Sequence, residues 1–430
     1  MAQAYFQSRR MAEATFSLFV RSYPADRGYF VAAGLRDVCD FLQEWRFDAA
    51  AIDFLHSKRL FADEFLDFLP SLSFTGEVWA IPEGRLFFAD EPILEVTAPI
   101  IEGQIAETFI INQINLQSLI ATKAARCLYA AGGRPVVDFA LRRTHGIDAG
   151  LKVARSSYLA GFGGTSNVLA GELYGIPIVG TMAHSFVSSH EQEIDAFRNY
   201  VKSFPHNAIL LIDTYDTIAG AHKAVEVAKE MAARGEKLIG VRIDSGDLAA
   251  LAKEVRGIFD EAGLHDLKIT GSGGLDEYDL AKLAQLGVPY DNYGVGTRMG
   301  TSADAPWLDI AYKLVEYDGR SVVKLSPGKA SWPGKKQVFR FTEGESLLGD
   351  VLGLRDENVA AEPLLKKVME KGKLTAPLPS LEENRAVFLD EFARLPEPIK
   401  AIRKPDRYPV EFSANLRTLR TDVEKRISNA

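Results

Sequence analysis

Between residues 136 and 295, short apolar runs recur, and each ends in residues able to do chemistry. The run 136–141 leads into Arg142, Arg143, Thr144 and His145, and 176–180 into Thr181, His184 and Ser185. The run 208–212 opens on Asp213-Thr-Tyr-Asp216, while 238–243 holds Arg242 and passes to Asp244, Ser245, Gly246 and Asp247. Runs 267–270 and 290–295 open into Gly271-Ser-Gly-Gly274 and Gly294-Val-Gly-Thr297, the latter followed by Arg298. Glycine-rich turns expose backbone N–H groups to a phosphate. Arginines at strand ends suit planar anions such as carboxylates and phosphates. Acids such as Asp213 and Asp244 can hold ribose hydroxyls, stabilise a developing positive charge, or bind magnesium through water.

Each residue also has a structural alternative. Asp213 and Asp216 can cap a helix beginning near Thr217, and Asp244 and Asp247 the next one. His184 can be a core histidine, and Arg142 and Arg143 can form surface ion pairs. His145, His190, His206 and His222 are read as structural or exposed. The functional reading rests on convergence, because chemistry-bearing residues follow one apolar run after another.

The elements that position these residues follow from the spacing. The later runs recur every roughly 25–30 residues, the length of one strand-plus-helix unit in an α/β barrel. Helical stretches lie between them, as at 219–233 and 248–262. Continuous apolar runs suit strands buried on both faces, as in a parallel sheet. A doubly wound open sheet gives a similar pattern, so the barrel is favoured but not forced. In a barrel, the carboxyl ends of the strands build the active site.

On either side the texture differs. Val38, Phe41, Leu42 and Trp45 have helical spacing, and 76–96 alternates like short antiparallel strands. A long helix is expected over 102–131, closed by Gly132 and Gly133. After 311 come two strand-like runs joined by Asp318-Gly319, a hairpin signal. A basic loop then spans 326–336, a strand 337–341, and a charged, partly helical tail begins near Pro377. The expected division is an α/β sandwich from 1–99 with 311–370, a catalytic domain at 100–310, and a C-terminal extension at 371–430.

The chain of 430 residues can bury a large core, and its length suggests two or three domains. A formal charge of −8 argues against nucleic acid or an anionic membrane as main partner. The two cysteines, Cys39 and Cys127, fit a reducing compartment, and no Cys/His cluster has zinc-site spacing. The apolar stretch 16–20 follows Glu13 and runs into Arg21 and Pro24, unlike a signal peptide. No apolar run approaches the roughly 20 residues needed to span a bilayer. The expectation is a soluble cytoplasmic protein.

The ordered motifs resemble those of the nicotinate phosphoribosyltransferase family through nearly the whole chain. They are Asp138-Phe-Ala-Leu-Arg-Arg143, Gly161-Phe-Gly-Gly-Thr-Ser-Asn167, Gly180-Thr-Met-Ala-His-Ser-Phe186, Leu211-Ile-Asp-Thr-Tyr-Asp216, Gly240-Val-Arg-Ile-Asp-Ser-Gly-Asp247 and Tyr293-Gly-Val-Gly-Thr297. The stretch from Lys324 to Lys329, with Pro333-Gly-Lys-Lys336, looks like the family's basic loop. The resemblance implies an irregular α/β barrel beside a smaller α/β sandwich domain with a C-terminal helical extension, in a homodimer whose sites draw on both subunits. It implies that nicotinate and 5-phosphoribosyl 1-diphosphate give nicotinate mononucleotide and diphosphate, in NAD biosynthesis. Magnesium and coupled ATP hydrolysis come with that reaction.

By the same resemblance, His184 matches a phosphorylated histidine, and Arg142 and Arg242 match residues around the pyridine ring. Asp213 and Asp244 match positions near ribose and diphosphate, and Gly273, Gly296 and Thr297 hold the 5′-phosphate. Phe139 and Ser185, within two of the motifs, join the substrate-binding set. Arg21, Lys324 and Lys336 reach the phosphates of the neighbouring subunit's site. Ser166 stands where nicotinamide-using relatives carry an aspartate. A hydroxyl can donate to nicotinate whereas a carboxylate would repel it, which favours the acid over the amide. The family's opening Thr-Asp-x-Tyr stretch has no counterpart, since residues 1–6 look like the segment after it. That leaves a truncated start or a substitute residue.

The alternatives are a nicotinamide- or quinolinate-using phosphoribosyltransferase, a metal-dependent barrel hydrolase or aldolase built on the Asp pairs, and a non-catalytic relative. Quinolinate enzymes are generally shorter and lack the phosphorylated histidine. The hydrolase reading is weakened by the absence of His-x-His, and the aldolase reading by the lack of a lysine just after a strand.

Overall fold

A computed structural model of the chain describes residues 1–326 and 331–429. The chain forms two compact units, Met1–Thr122 with Ala305–Ala430, and Lys123–Asp304.

The first unit is built on an antiparallel sheet of seven strands. Its order is Arg320–Ser321, Ile310–Tyr317, Glu13–Val20, Pro92–Pro99, Glu77–Ala80, Lys366–Glu370 and Lys373–Leu374. Glu13–Val20 is an interior strand, pairing Leu18 with Leu94 on one side and Tyr312 on the other. The expected hairpin is present, with Tyr317 opposite Arg320 and both Asp318 and Gly319 at positive φ. A second sheet contains Glu362–Pro363, Lys336–Glu343, Ser346–Leu354 and Val410–Phe412.

The sequence places a boundary at 99/100, but the unit boundary falls inside the helix Ile100–Ala130. The physical reason is packing: Ile101, Ala106, Ile110, Ile114 and Leu119 share one core with Phe16, Leu18 and Val96. The tail is likewise part of the first unit rather than a separate extension. Val410–Phe412 pairs with Ser346–Leu354, and Leu416 of the last helix joins the same core.

The second unit carries a parallel sheet in the order Val136–Asp138, Asn292–Val295, Lys268–Gly271, Gly240–Ile243 and Ile209–Leu211. Single bridges extend it from Asp138 to Thr165 and from Thr165 to Ile178. The first strand thus pairs with the last, so neighbours around the sheet follow chain order. Helices Thr217–Ala233, Leu248–Glu261 and Glu277–Gln285 separate successive strands. Two expected runs are shortened. Residues Leu141–Arg143 form a 3-10 turn, and 176–180 contributes only its bridge at Ile178. An ionic cluster lies inside this unit: Lys123 Nζ is 2.6 Å from Asp304 and 2.5 Å from Glu277, which also accepts from Arg126 Nε at 3.0 Å.

Candidate active site

Parallel strands direct their carboxyl ends to one rim, so the loops after them converge. A cavity of about 730 Å³ lies among those loops, wholly within the second unit. Its lining includes Phe139, Arg142, Ser166, His184, Ser185, Arg242, Asp244, Gly273, Gly296 and Thr297, all expected at a site.

The loop after Val136–Asp138 is set by a buried carboxyl. Asp138 Oδ1 accepts from Ala140 N at 2.8 Å and Oδ2 from Thr165 Oγ1 at 2.7 Å. Burial raises this carboxyl above its ordinary range although both hydrogen bonds oppose it. The turn it fixes presents Phe139 and Arg142. A Cβ at Gly294 would come within 2.5 Å of the Phe139 ring, so that ring position requires glycine opposite.

Arg242 reaches into the cavity from its strand. Its Nη1 donates to Thr181 Oγ1 at 2.5 Å, Nη2 lies 3.9 Å from Asp244 Oδ1, and the guanidinium sits 5.9 Å from the Phe139 ring centre. Its Nε is buried with no hydrogen-bond partner. Burial lowers the arginine's pKa below its ordinary value, with Asp244 and Asp213 opposing and Arg142 adding to the fall. A buried donor without an acceptor is costly, so this N–H is a ready contact for an anion.

His184 opens the short helix His184–Ser188. Its Nδ1 lies 3.1 Å from Thr214 Oγ1 and its Nε2 3.8 Å from Asp244 Oδ2. Asp244 Oδ1 in turn accepts from Ser272 Oγ at 2.6 Å. The 271–274 turn packs against this loop through Gly273, whose φ is +100° and where a Cβ would fall 1.8 Å from the Asp244 carbonyl oxygen. Only glycine satisfies both conditions.

Asp213, expected near the ribose and diphosphate, lies behind the cavity wall. It is buried and absent from the cavity lining, because its Oδ2 accepts from Asp244 N at 2.9 Å and from Ser245 Oγ at 2.6 Å. It holds the Asp244 loop instead. Asp216 and Asp247 take the structural alternative as helix caps, accepting from Ala219 N and from Ala249 and Ala250 N. Arg298 pairs with Asp279 at 2.9 Å.

Arg143, Thr181 and Ser272 also line the cavity, as does Gly274. The first two and the glycine-rich turn were visible at strand ends, but nothing in the sequence separates them from ordinary loop residues. Arg143 Nη1 donates to Thr297 Oγ1 at 3.2 Å. Three arginines thus face one carboxylate, Asp244, around the cavity of a chain whose net charge is −8. The lining is locally cationic.

The remaining expected residues belong to the first unit. Arg21 pairs with Asp309 at 2.9 Å, and Lys324 is exposed. Lys336 differs from expectation: its Nζ lies 2.9 Å from Glu95 Oε1 and donates to Gly334 O, and its side chain is nearly buried. That cation is committed inside its own unit rather than offered to a phosphate. Lys329, from the basic loop, lies outside the described residues.

Among the described residues no group of three or more His, Cys, Asp or Glu side chains could hold a metal ion, and no helix is long and apolar enough to cross a membrane. The site offers the Phe139 ring, cations for anionic groups, a glycine-lined wall, and an imidazole open to the cavity.

Three sequence profiles cover most of the chain. They are described as the nicotinate phosphoribosyltransferase N-terminal domain over residues 1–115, the nicotinate phosphoribosyltransferase family over 135–343, and the C-terminal domain over 357–420. A nicotinate phosphoribosyltransferase, pncB2, of Mycobacterium tuberculosis is 47% identical over 96% of this chain and 89% of its own length. The nicotinate phosphoribosyltransferase of Bacillus subtilis is 37% identical over 96% and 91%. The crystal structure of human nicotinic acid phosphoribosyltransferase superimposes with a TM-score of 0.89 at 32% identity, covering 98% of both chains. The chain therefore belongs to the nicotinate phosphoribosyltransferase family.

Proposed function

We propose that the protein joins nicotinate to 5-phosphoribosyl 1-diphosphate, forming nicotinate mononucleotide and diphosphate for NAD biosynthesis, with ATP hydrolysis coupled through His184. The observation that carries this reading is the meeting of Arg142, His184, Arg242, Asp244 and Gly296 around one cavity.

In this reading the nicotinate carboxylate accepts from the buried, unpartnered Nε of Arg242, and its ring lies beside Phe139. Ser166 donates to the same acid. The 5′-phosphate meets the backbone at Gly296 and Thr297, where Arg143 is already anchored. The pyridine nitrogen forms its bond to the ribose C1 as the C1–oxygen bond breaks and diphosphate leaves. Asp244 opposes the cationic sugar, so catalysis is positioning and electrostatic stabilisation. For ATP coupling, an imidazole nitrogen of His184 bonds the γ-phosphorus as the bond to ADP breaks, and the phosphoryl group later passes to water. Asp244 would meet magnesium carried on the substrates' phosphates, where the ion would neutralise charge.

The same proposal takes the parallel strands as an irregular barrel, supported by the pairing of Val136–Asp138 with Asn292–Val295. It also takes the protein as a cytoplasmic homodimer. Val168, Leu169, Leu173 and Ile178, all exposed, supply an apolar surface of the kind subunits bury. The test is a product assay with the ribose diphosphate and magnesium, with and without ATP, comparing nicotinate, nicotinamide and quinolinate. Nicotinate mononucleotide formation, raised by ATP, is expected. Turnover of nicotinamide or quinolinate alone, or binding of the ribose diphosphate with no product, would sink the reading.

A further inference from the structure

Thr214 lies outside the residues that line the cavity, yet it is the hydrogen-bond partner of His184 Nδ1, at 3.1 Å. Its own place is fixed from both sides. Asp213 is pinned to the Asp244 amide at 2.9 Å, and Asp216 caps the following helix through Ala219 N at 2.7 Å. The Asp213-Thr-Tyr-Asp216 turn is therefore tied to the neighbouring strand loop and to a helix terminus, with the Thr214 hydroxyl held between. The imidazole has few other restraints: its side chain is 45% exposed, and Asp244 Oδ2 lies 3.8 Å from Nε2, beyond hydrogen-bond length.

We infer that Thr214 is a positioning residue for His184, its hydroxyl setting the ring orientation in which the imidazole meets a phosphoryl donor. This inference rests on the phosphohistidine reading above and adds to it the group that orients the nucleophile. A hydroxyl suits the task because it donates to a bare ring nitrogen or accepts from a protonated one. The ring thus keeps its orientation as its protonation changes. Without that contact an exposed imidazole turns freely about its side-chain bonds, and the productive orientation is diluted.

The test compares Thr214→Val, Thr214→Ala and Thr214→Ser in the full-length protein, with two measurements. The first is ring nitrogen NMR of His184 in the free protein at alkaline pH, with exposed His206 as internal reference. In the parent and in Thr214→Ser, the His184 Nδ1 signal should be displaced by its hydrogen bond, whereas in Thr214→Val and Thr214→Ala it should move towards the His206 pattern. The second is the rate of acid-labile phosphohistidine formation from magnesium ATP. It should fall about tenfold on loss of one hydrogen bond and recover in Thr214→Ser, with thermal midpoints unchanged. Parent-like nitrogen signals in both hydroxyl-free variants, or a loss that serine does not restore, would overturn the role. If the parent protein itself takes no phosphate from ATP, the ATP-coupling reading fails, and the nitrogen signals still decide the positioning role.

Discussion

Replacing Arg242 by methionine separates recognition of an anion from packing. Methionine keeps an unbranched chain beside Phe139 but removes the cation and its donors. In the free protein the loss is offset: the Thr181 contact at 2.5 Å disappears, but so does a buried Nε without a partner. Each effect is worth about 1–3 kcal/mol, so stability should change by no more than about 2 kcal/mol. With nicotinate bound, Nε gains an ionised acceptor and only the loss remains. One hydrogen bond between charged groups is worth about 1.5–3 kcal/mol, roughly ten- to a hundredfold in kcat/KM. Nicotinamide lacks the carboxylate and should lose far less. Steady-state kinetics with both substrates, beside thermal unfolding, read the two effects separately. Equal losses for acid and amide, or a fall in unfolding temperature matching the fall in activity, would show Arg242 to be a structural arginine.

The other expectations are more briefly stated. His184→Ala should keep the fold and abolish the benefit of ATP in the product assay, since its ring is the one imidazole lining the cavity among the described residues; an unchanged ATP response would remove it from that role. Ser166→Asp should lower kcat/KM for nicotinate at least tenfold relative to nicotinamide, because a carboxylate facing the substrate acid adds like-charge repulsion of more than about 1.4 kcal/mol; competition between the two substrates measures the ratio. Glu91, in the first unit, is buried, and its carboxyl is raised well above the ordinary range, first by that burial and then by neighbouring Asp350. Its unfolded form ionises first as pH rises, so the stability it contributes below about pH 4.5 is lost progressively towards its folded pKa. Glu91→Gln, which imitates the protonated acid, should therefore gain stability over the parent increasingly as pH rises above about 4.5, as urea titrations at several pH values would register.

The residues that the sequence could identify share a property: their role follows from where a strand ends. Arg142, His184, Arg242, Asp244 and Gly296 each follow or close an apolar run, and parallel strands bring such positions to one rim whatever the details of packing. Lys336 fails that test. It sits in a lysine-rich loop suggestive of phosphate binding, and the partner that captures it, Glu95, is 241 residues away in the chain. Asp213 was ambiguous for a different reason. In Asp213-Thr-Tyr-Asp216 no local rule says which acid faces the cavity, and the decision is made by the amide of Asp244 on the next strand. The domain boundary was hidden because the helix Ile100–Ala130 is continuous across Thr122 and Lys123, with no glycine or proline to mark the change of unit.

These cases have a common consequence for how the site holds its charge. Asp244 faces three cavity arginines, and its own carboxylate is held by Ser272 while its amide is held by Asp213. The second acid thus holds the backbone and the Ser245 hydroxyl beneath the first through its Oδ2. Were Asp213 also exposed to the cavity, two carboxylates would face the anionic groups that the arginines attract, weakening the same field. Burying one aspartate under the other keeps the loop rigid and leaves the cavity cationic, which a chain of net charge −8 cannot achieve through its overall field. In the proposed reading, recognition of anionic substrates is therefore a property of the few ångströms around Arg142, Arg143 and Arg242.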